Sequence, residues 1–367
     1  MVSAGYLARA LVLYRSLARF HEGLQLRVCC LDELSYSLLS GMALPGVAAF
    51  PVEELEAFDP ALVEVRPRRT PWEYAMTLKP SLCLHELERA GRDEGVAYLD
   101  ADLMFFSDPE ALFEEIGRDS ILLVPHRYPP ENDWMARAWG RYNAGTIVLR
   151  PGIDTLDALR WWRERCLEWC HRRPEEGRWA DQKYLDEWPR RFSGVHVLEH
   201  PGGGLAPWNT FRHELANRDG AGLLVDGRPL VFYHYQGLRL YRGTATLRRL
   251  GLLSGRYLLV RDHPSLVWNT EGAHSITARE AELLWHPYLR ALARTVVELR
   301  GVDPSFGFDY AESLEVAALR RRARRLSRVL RRGARRGRRL LRRRTKRARR
   351  LLRRARRAAV DVRARQK

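Results

Sequence analysis

Asp100 and Asp102 are the residues of this chain best suited to chemistry. They interrupt an apolar run, Val96-Ala97-Tyr98-Leu99, that resumes at Leu103-Met104-Phe105-Phe106. Residues two apart on extended chain share a face, and two carboxylates on one face suit a hard divalent cation. Ala101 between them is small enough for a tight turn. The apolar run reads as a central strand of a parallel sheet. Ser107-Asp108-Pro109-Glu110 then supplies a polar cap, a first-turn proline and acids at the start of a helix reaching Ile116. The carboxylates thus fall at a strand's carboxyl end, where open α/β sheets hold their ligands.

The surrounding chain alternates strand and helix, which predicts an α/β layered domain. Gly5–Phe20 reads as an amphipathic helix with Leu7, Leu11, Tyr14 and Leu17 at helical spacing. Leu24–Leu31 follows as a strand. In α/β folds such a helix follows a first strand, so either this chain starts late or that strand is lost. Pro51 opens a short helix, and Trp72–Arg89 is a longer one that Pro80 kinks or restarts. Ile121–Val124 is a strand, Tyr142–Leu149 a turn plus strand, Leu156–Cys170 a helix, Val195–Leu198 a strand, and the stretch Leu230–Gly237 closes the series as a strand ending at His234. Gly202-Gly203-Gly204 reads as a mobile loop that either lines a cleft or simply connects. Residues 250–310 carry no motif and are expected to pack back on the domain.

Five further stretches stand in order around the acid pair: Ser3-Ala4-Gly5-Tyr6-Leu7, Thr77-Leu78-Lys79-Pro80, Asn143-Ala144-Gly145, Asp181-Gln182 and His234-Tyr235-Gln236-Gly237. Together with Asp100-Ala101-Asp102 they resemble the motifs of GT-A fold glycosyltransferases of family 8, the glycogenin-like nucleotide-diphospho-sugar transferases, over roughly residues 3–240. The resemblance implies a Rossmann-like sheet with helices on both faces. It implies a metal site of Asp100, Asp102 and His234, holding Mn²⁺ in preference to Mg²⁺ because a neutral imidazole joins the oxygens. Tyr6 becomes the uracil contact, unless it is a core aromatic. Lys79 becomes the cation facing diphosphate and sugar, unless it is an exposed helix lysine. Asn143 faces the donor sugar and Gly145 allows close approach of backbone to ligand, with a plain turn as the alternative. Asp181 and Gln182 lie near the anomeric carbon, unless Asp181 is only a helix cap.

Implied too are a UDP-sugar donor, an unidentified glycan, lipid-linked or protein acceptor, and retention of configuration. The family's Lys-Pro-Trp after Gly237 is absent. Leu238-Arg239-Leu240-Tyr241-Arg242 stands there instead, so Arg239 or Arg242 is expected to take the phosphate contact. A catalytically inactive GT-A-like binding protein, acting through its basic tail, is the competing reading.

Charge divides the chain sharply. The net charge is +18, yet residues 318–367 hold 26 Lys+Arg against the single acid Asp361, leaving 37 basic and 44 acidic residues in 1–317. The expected organisation is a transferase domain over 1–250, an extension over 251–317 and an Arg-rich helical tail over 318–367. Leu319, Ala323, Leu326 and Leu330 begin an apolar stripe at helical steps. That pattern suits an anionic membrane surface, with nucleic acid a weaker fit for want of interleaved aromatics. The odd set Cys29, Cys30, Cys83, Cys166 and Cys170, without metal-type spacing, predicts reduced thiols and a cytoplasmic setting, with Cys166 and Cys170 as packing residues on one helix face; the tail adds a peripheral place at the inner membrane face. No uncharged run reaches the ~20 residues of a membrane helix.

Overall fold

The computed structural model describes residues 1–91, 94–175, 177–218, 220, 222–242, 257–259, 266–270 and 277–307. The chain divides into two compact units, one of Met1–Leu240 with Leu253–Ala311 and one of Tyr241–Leu252 with Glu312–Lys367. The Arg-rich segment 318–367 lies outside the described residues, as do the side chains of Arg239 and Arg242.

The described elements run α1 (Ala4–Leu17), β1 (Leu26–Cys30), α2 (Glu33–Gly41), β2 (Val47–Pro51), α3 (Val52–Phe58), α4 (Ala61–Val65), α5 (Pro71–Arg89), β3 (Val96–Leu99), β4 (Leu103–Phe105), α6 (Glu110–Glu115), β5 (Ile121–Pro125), α7 (Asp133–Trp139), β6 (Tyr142–Leu149), α8 (Ile153–Glu168), α9 (Trp188–Arg191), β7 (Val195–Val197), β8 (Leu215–Arg218), β9 (Gly222–Val225), β10 (Arg228–Pro229), β11 (Phe232–His234), β12 (Leu238–Arg242), β13 (Tyr257–Leu259) and β14 (Leu266–Thr270). After a capped turn at Ala278–Glu280 and a π-helical turn at Ala281–Trp285, α10 (His286–Val302) closes the series.

Four strands in the order β3-β6-β5-β7 form the central sheet, with β5 and β7 parallel and β6 antiparallel to both its neighbours. Alternation along these strands sends side chains into two cores. Ile121, Leu123, Ile147 and Leu149 join α5 and α8 through Leu78, Leu82, Leu159 and Trp162. Leu122, Val124 and Val148 face Leu13 and Leu17 of α1 and Leu112 of α6. Helices therefore cover both faces, as expected. The parallel, central setting expected for β3 does not hold: β3 pairs antiparallel with β6 at the end of this strand order. A short apolar run does not distinguish the two settings.

Local chemistry explains the elements that carry the site. Thr70 and Glu73 form a reciprocal capping box and Pro71 opens α5, which continues through Pro80 without a restart. Asp108 Oδ1, one residue before the N-cap Pro109, accepts from the Glu110 N–H at 2.9 Å at the start of α6. α1 is buried along most of its length instead of on one stripe, because it lies between β4 and α10. Arg15 pins it there through Glu298 (2.6 Å) and Thr295 Oγ1 (3.0 Å). Beside β1, Val2 makes one parallel rung with Cys30. All five cysteines are free and buried, which agrees with Cys166 and Cys170 as packing residues and extends that role to Cys29, Cys30 and Cys83.

Candidate metal and donor site

Two strand pairs deliver the ion-binding groups. β3 ends at Leu99, the chain turns through Asp100, Ala101 and Asp102, and β4 begins at Leu103. β11 lies antiparallel to β4 with His234 opposite Leu103, and the Tyr235 N–H donates to Asp102 O at 2.9 Å. His234 is thereby brought beside residues more than a hundred positions earlier. One ligand atom from each of Asp100, Asp102 and His234 lies within 4.8 Å of the others. Three ligand atoms that close can share one divalent cation. His234 Nε2 is 3.1 Å from Asp102 Oδ1 and 3.9 Å from Asp100 Oδ2. Two carboxylates and one imidazole suit a divalent ion that accepts nitrogen as well as oxygen.

A bulge in β6 shapes the other wall. Between Leu123 and Val124 the pairing on β6 jumps from Ile147 to Asn143, so Ala144, Gly145 and Thr146 are extra residues opposite a single step of β5. Asn143-Ala144-Gly145 therefore leads from a paired residue into a bulge inside a buried strand and is not a surface turn. The Asp100 N–H donates to Gly145 O at 2.8 Å. A Cβ on Gly145 would lie 2.7 Å from each of Asn143 Oδ1, Asp100 Oδ2 and His234 Cε1. Only glycine fits at that point.

Beneath the acid pair lies a buried charge network. Lys79, 1% exposed, projects from α5 to Asp181 Oδ2 (2.9 Å), Asp100 Oδ1 (3.4 Å) and Ala144 O (3.1 Å). Burial alone favours the neutral amine, but Asp100 and Asp181 together push the ammonium's pKa upward. Asp181 is 2% exposed, and burial raises its carboxyl against the pull of Lys79. It stands before the 3₁₀ turn Gln182–Glu187 without a capping bond from its side chain, so it is no mere helix cap. Tyr98 OH also donates to Asp100 Oδ1 at 2.9 Å. One Asp100 oxygen is thus held by Tyr98 and Lys79 while the other faces His234. Burial raises and His234 lowers the Asp102 pKa, with a net fall. His234 is itself raised by Asp102 against its own burial.

Asn143 Oδ1 accepts from the Gly145 N–H (2.9 Å), and its Nδ2 lies 3.2 Å from His126 Nε2. Burial drops the His126 pKa to about 3, so the ring is neutral. Gln182 Oε1 accepts from the Ala144 N–H (3.3 Å) and its Nε2 donates to Trp139 O (2.8 Å). Tyr6, 40% exposed on α1, carries the Arg9 guanidinium on its ring at 4.3 Å. Gly237 sits in left-handed backbone, φ 80°, at the turn after Tyr235.

The structure therefore gathers Asp100, Asp102, His234, Lys79, Asp181, Asn143, Gly145 and Gln182 at one place. Arg9 lies on the Tyr6 ring, its Nη2 donates to the carbonyl of Leu238, the residue after Gly237 (3.4 Å), and its charge lowers the pKa of Asp102. Sequence reasoning passed over Arg9, Tyr98 and His126. A charge among Ala8, Ala10, Leu11 and Val12 was the available signal for Arg9. The triple-glycine loop is not mobile by construction. Gly202, Gly203 and Gly204 are buried, a Cβ on Gly202 would meet Pro229 O at 2.0 Å, and Arg127 donates to the Gly203, Leu198 and His200 carbonyls. Trp208 beyond it packs edge-on against His126 and His234, with centroids at 5.2 and 5.8 Å.

No family model matches the chain. It is similar to the Bacillus subtilis (strain 168) uncharacterized protein YfnF, with 34% identity over 246 residues covering 65% of this chain and 80% of that protein. It is also similar to the uncharacterized protein YfnD of the same organism, with 29% identity over 308 residues covering 83% of this chain and 91% of that one. Among solved structures it resembles that of galactosyltransferase LgtC in complex with donor and acceptor sugar analogs. That likeness has a TM-score of 0.40 and 16% identity, over 64% of this chain and 85% of the other.

Proposed function

This chain belongs to the family of the Bacillus subtilis protein YfnF, and on the chemistry of its site we propose that it is a metal-dependent GT-A glycosyltransferase. The donor is a nucleotide sugar, a UDP-sugar by the motif resemblance, and transfer proceeds with retention. One observation carries this reading: Asp100, Asp102 and His234 converge within 4.8 Å, at the carboxyl end of β3.

Asp100, Asp102 and His234 would hold the cation. Bound there, it supplies Lewis-acid stabilisation to a departing nucleoside diphosphate. Tyr98 and Lys79 lock Asp100 so that one oxygen keeps facing the cluster, the task of outer partners around a metal ligand. Asp181 balances Lys79 and adds negative potential beneath the site, which favours positive charge developing on a sugar ring. Gly145 keeps the wall thin, and Asn143, oriented by His126, holds the bulge in shape. Trp208 stands beside His234 as an apolar flank for the sugar.

Thermal-shift screening of nucleotide sugars with Mn²⁺ tests the donor class, since a bound donor raises apparent stability by mass action. Mn²⁺-dependent UDP-sugar hydrolysis that persists unchanged in Asp102→Asn would sink the proposal. The tail over 318–367 is proposed to dock on anionic membrane, with the acceptor at that surface. Among the described residues no helix is long and apolar enough to cross a membrane. Flotation of the full chain with anionic vesicles at low salt, and its loss without 318–367, is the expected result. An unbound full chain refutes docking.

A further inference from the structure

We propose that Trp134, Trp139 and Trp179 form a platform for the saccharide of the acceptor, beside the metal and donor site. The proposal rests on the glycosyltransferase reading and names the acceptor's chemistry and place. The three indoles stand in a row. Trp134 meets Trp139 edge-on with ring centroids 5.2 Å apart, and Trp139 meets Trp179 at 6.2 Å. Trp134 is 49% exposed, and Trp139 and Trp179 are half-buried. Single exposed apolar side chains need no explanation, but contiguous ones mark a binding surface.

The fold sets this row against the reaction centre. β3 and β5 both pair antiparallel with β6, so they run the same way and their carboxyl ends open on one side of the sheet. There β3 leads into Asp100, and β5 leads into the segment carrying α7 with Trp134 and Trp139. Gln182 joins the two places: its Nε2 donates to Trp139 O (2.8 Å) while its Oε1 accepts from the Ala144 N–H (3.3 Å). Ala180, between Trp179 and Asp181, has left-handed backbone, φ 46°. That conformation is costly for a residue with a side chain and concentrates at functional sites. The turn keeps Trp179 against Trp139 while Asp181 enters the buried network beneath the acid pair.

The surroundings of the row select a neutral saccharide. A sugar ring offers C–H groups on its faces and hydroxyls around its rim, and the negative face of an indole attracts the C–H groups. The one large aliphatic residue of α7, Met135, is buried, so the surface lacks the aliphatic area that a lipid chain would cover. Its charges offset one another. Asp133 pairs with Arg137, and Lys183 pairs with Asp186 (2.7 Å) while donating to Ala136 O of α7 (2.9 Å). Glu131 and Arg141 flank the helix with opposite signs. Such groups give hydroxyls donors and acceptors without a net field that would favour an ion.

The test is to screen the full chain, with Mn²⁺ and UDP, on an array of neutral and anionic oligosaccharides. The best-retained neutral oligosaccharide is then titrated by calorimetry. Trp134→Ala is expected to lower its affinity about three- to tenfold, the worth of one aromatic contact, with UDP affinity unmoved. Trp134→Leu keeps apolar area without the ring and should lose as much; wild-type affinity in it overturns the platform. If Trp134→Ala does not melt cooperatively, Trp134→Leu carries the test. Phe58→Ala removes a different aromatic, 39% exposed on α3, and an equal loss there overturns the proposal. Retention of anionic glycans alone, or of none, overturns it too. Saccharide binding that needs Trp134, in a chain without affinity for UDP, supports the platform and removes the transferase reading. UDP affinity without saccharide binding does the reverse.

Discussion

Replacing Gly145 by alanine tests the site's construction most directly. The residue is not in left-handed backbone, so an added methyl group acts by volume alone. Its Cβ would stand 2.7 Å from Asn143 Oδ1, Asp100 Oδ2 and His234 Cε1, where ordinary contact begins near 3.4 Å. Each neighbour must therefore retreat by about 0.7 Å, and two of the three belong to the ion cluster. Overpacking of this kind costs about 1–3 kcal/mol. Displacing positioned groups by a large fraction of an ångström costs about a hundredfold in function. Gly145→Ala is accordingly expected to weaken Mn²⁺ binding, read by calorimetry, by about ten- to a hundredfold and to lower the melting temperature by a few degrees. Gly41→Ala is the control: nothing lies within 4 Å of its added Cβ, and its effect should be neutral or slightly stabilising. A Gly145→Ala chain with wild-type Mn²⁺ affinity and melting temperature refutes the close-packed wall.

Glu73 accepts from the Thr70 N–H and Oγ1 and the Arg172 N–H, with His171 Nδ1 at 3.2 Å. Burial raises its pKa, but these partners win and bring it from 4.5 to about 2. The folded value lies below the unfolded one, so the stabilisation is complete above about pH 4.5 and drains away as pH falls toward 2. Glu73→Gln should cost about 2–3 kcal/mol at pH 7 in urea melts and flatten the acid limb; an unaltered acid limb contradicts the assignment. Lys79→Met leaves Asp181 buried without its counter-charge and should cost about 3–5 kcal/mol. Lys79→Met with Asp181→Asn should regain part of that, and a double variant weaker than the single one would count against the ion pair. Burial pushes the thiols of Cys29 and Cys83 up to about 12 and that of Cys30 to about 11. Ellman's reagent should titrate five thiols after denaturation and almost none before, whereas rapid native reaction would contradict the packing.

The acid pair is legible because carboxylates breaking an apolar run are exceptions to what strands ordinarily carry, whereas a histidine at a strand end is ordinary and His234 joins the cluster only through its resemblance to a His-x-x-Gly motif. The α/β layering is legible from alternation and helical spacing, and helices on both faces follow from the motif resemblance. Pairing is not: nothing in Val96–Leu99 says whether its neighbour runs parallel or antiparallel, because that depends on the distant β6. The stretch Asn143-Ala144-Gly145, which enters the bulge, reads as a turn in composition, since Asn and Gly serve both. Gly202-Gly203-Gly204 reads as mobile because composition reports conformational freedom and is blind to Pro229, Leu198 and Arg127 packed around it. Lys79 stands out through its place in the resembling motif, but that it faces Asp181, more than a hundred residues later, comes only from tertiary packing.

The bulge in β6 also determines how the site opens. The Ala144 and Gly145 amide protons are held by the side-chain oxygens of Gln182 and Asn143 instead of by a neighbouring strand. Their exchange with deuterated solvent is therefore gated by the fluctuations of two amide side chains, while Ile147 and Leu149 exchange only when the ladder itself parts. A ligand that immobilises Asn143 or Gln182 would slow two backbone protons selectively, and those two protons become a built-in gauge of occupancy.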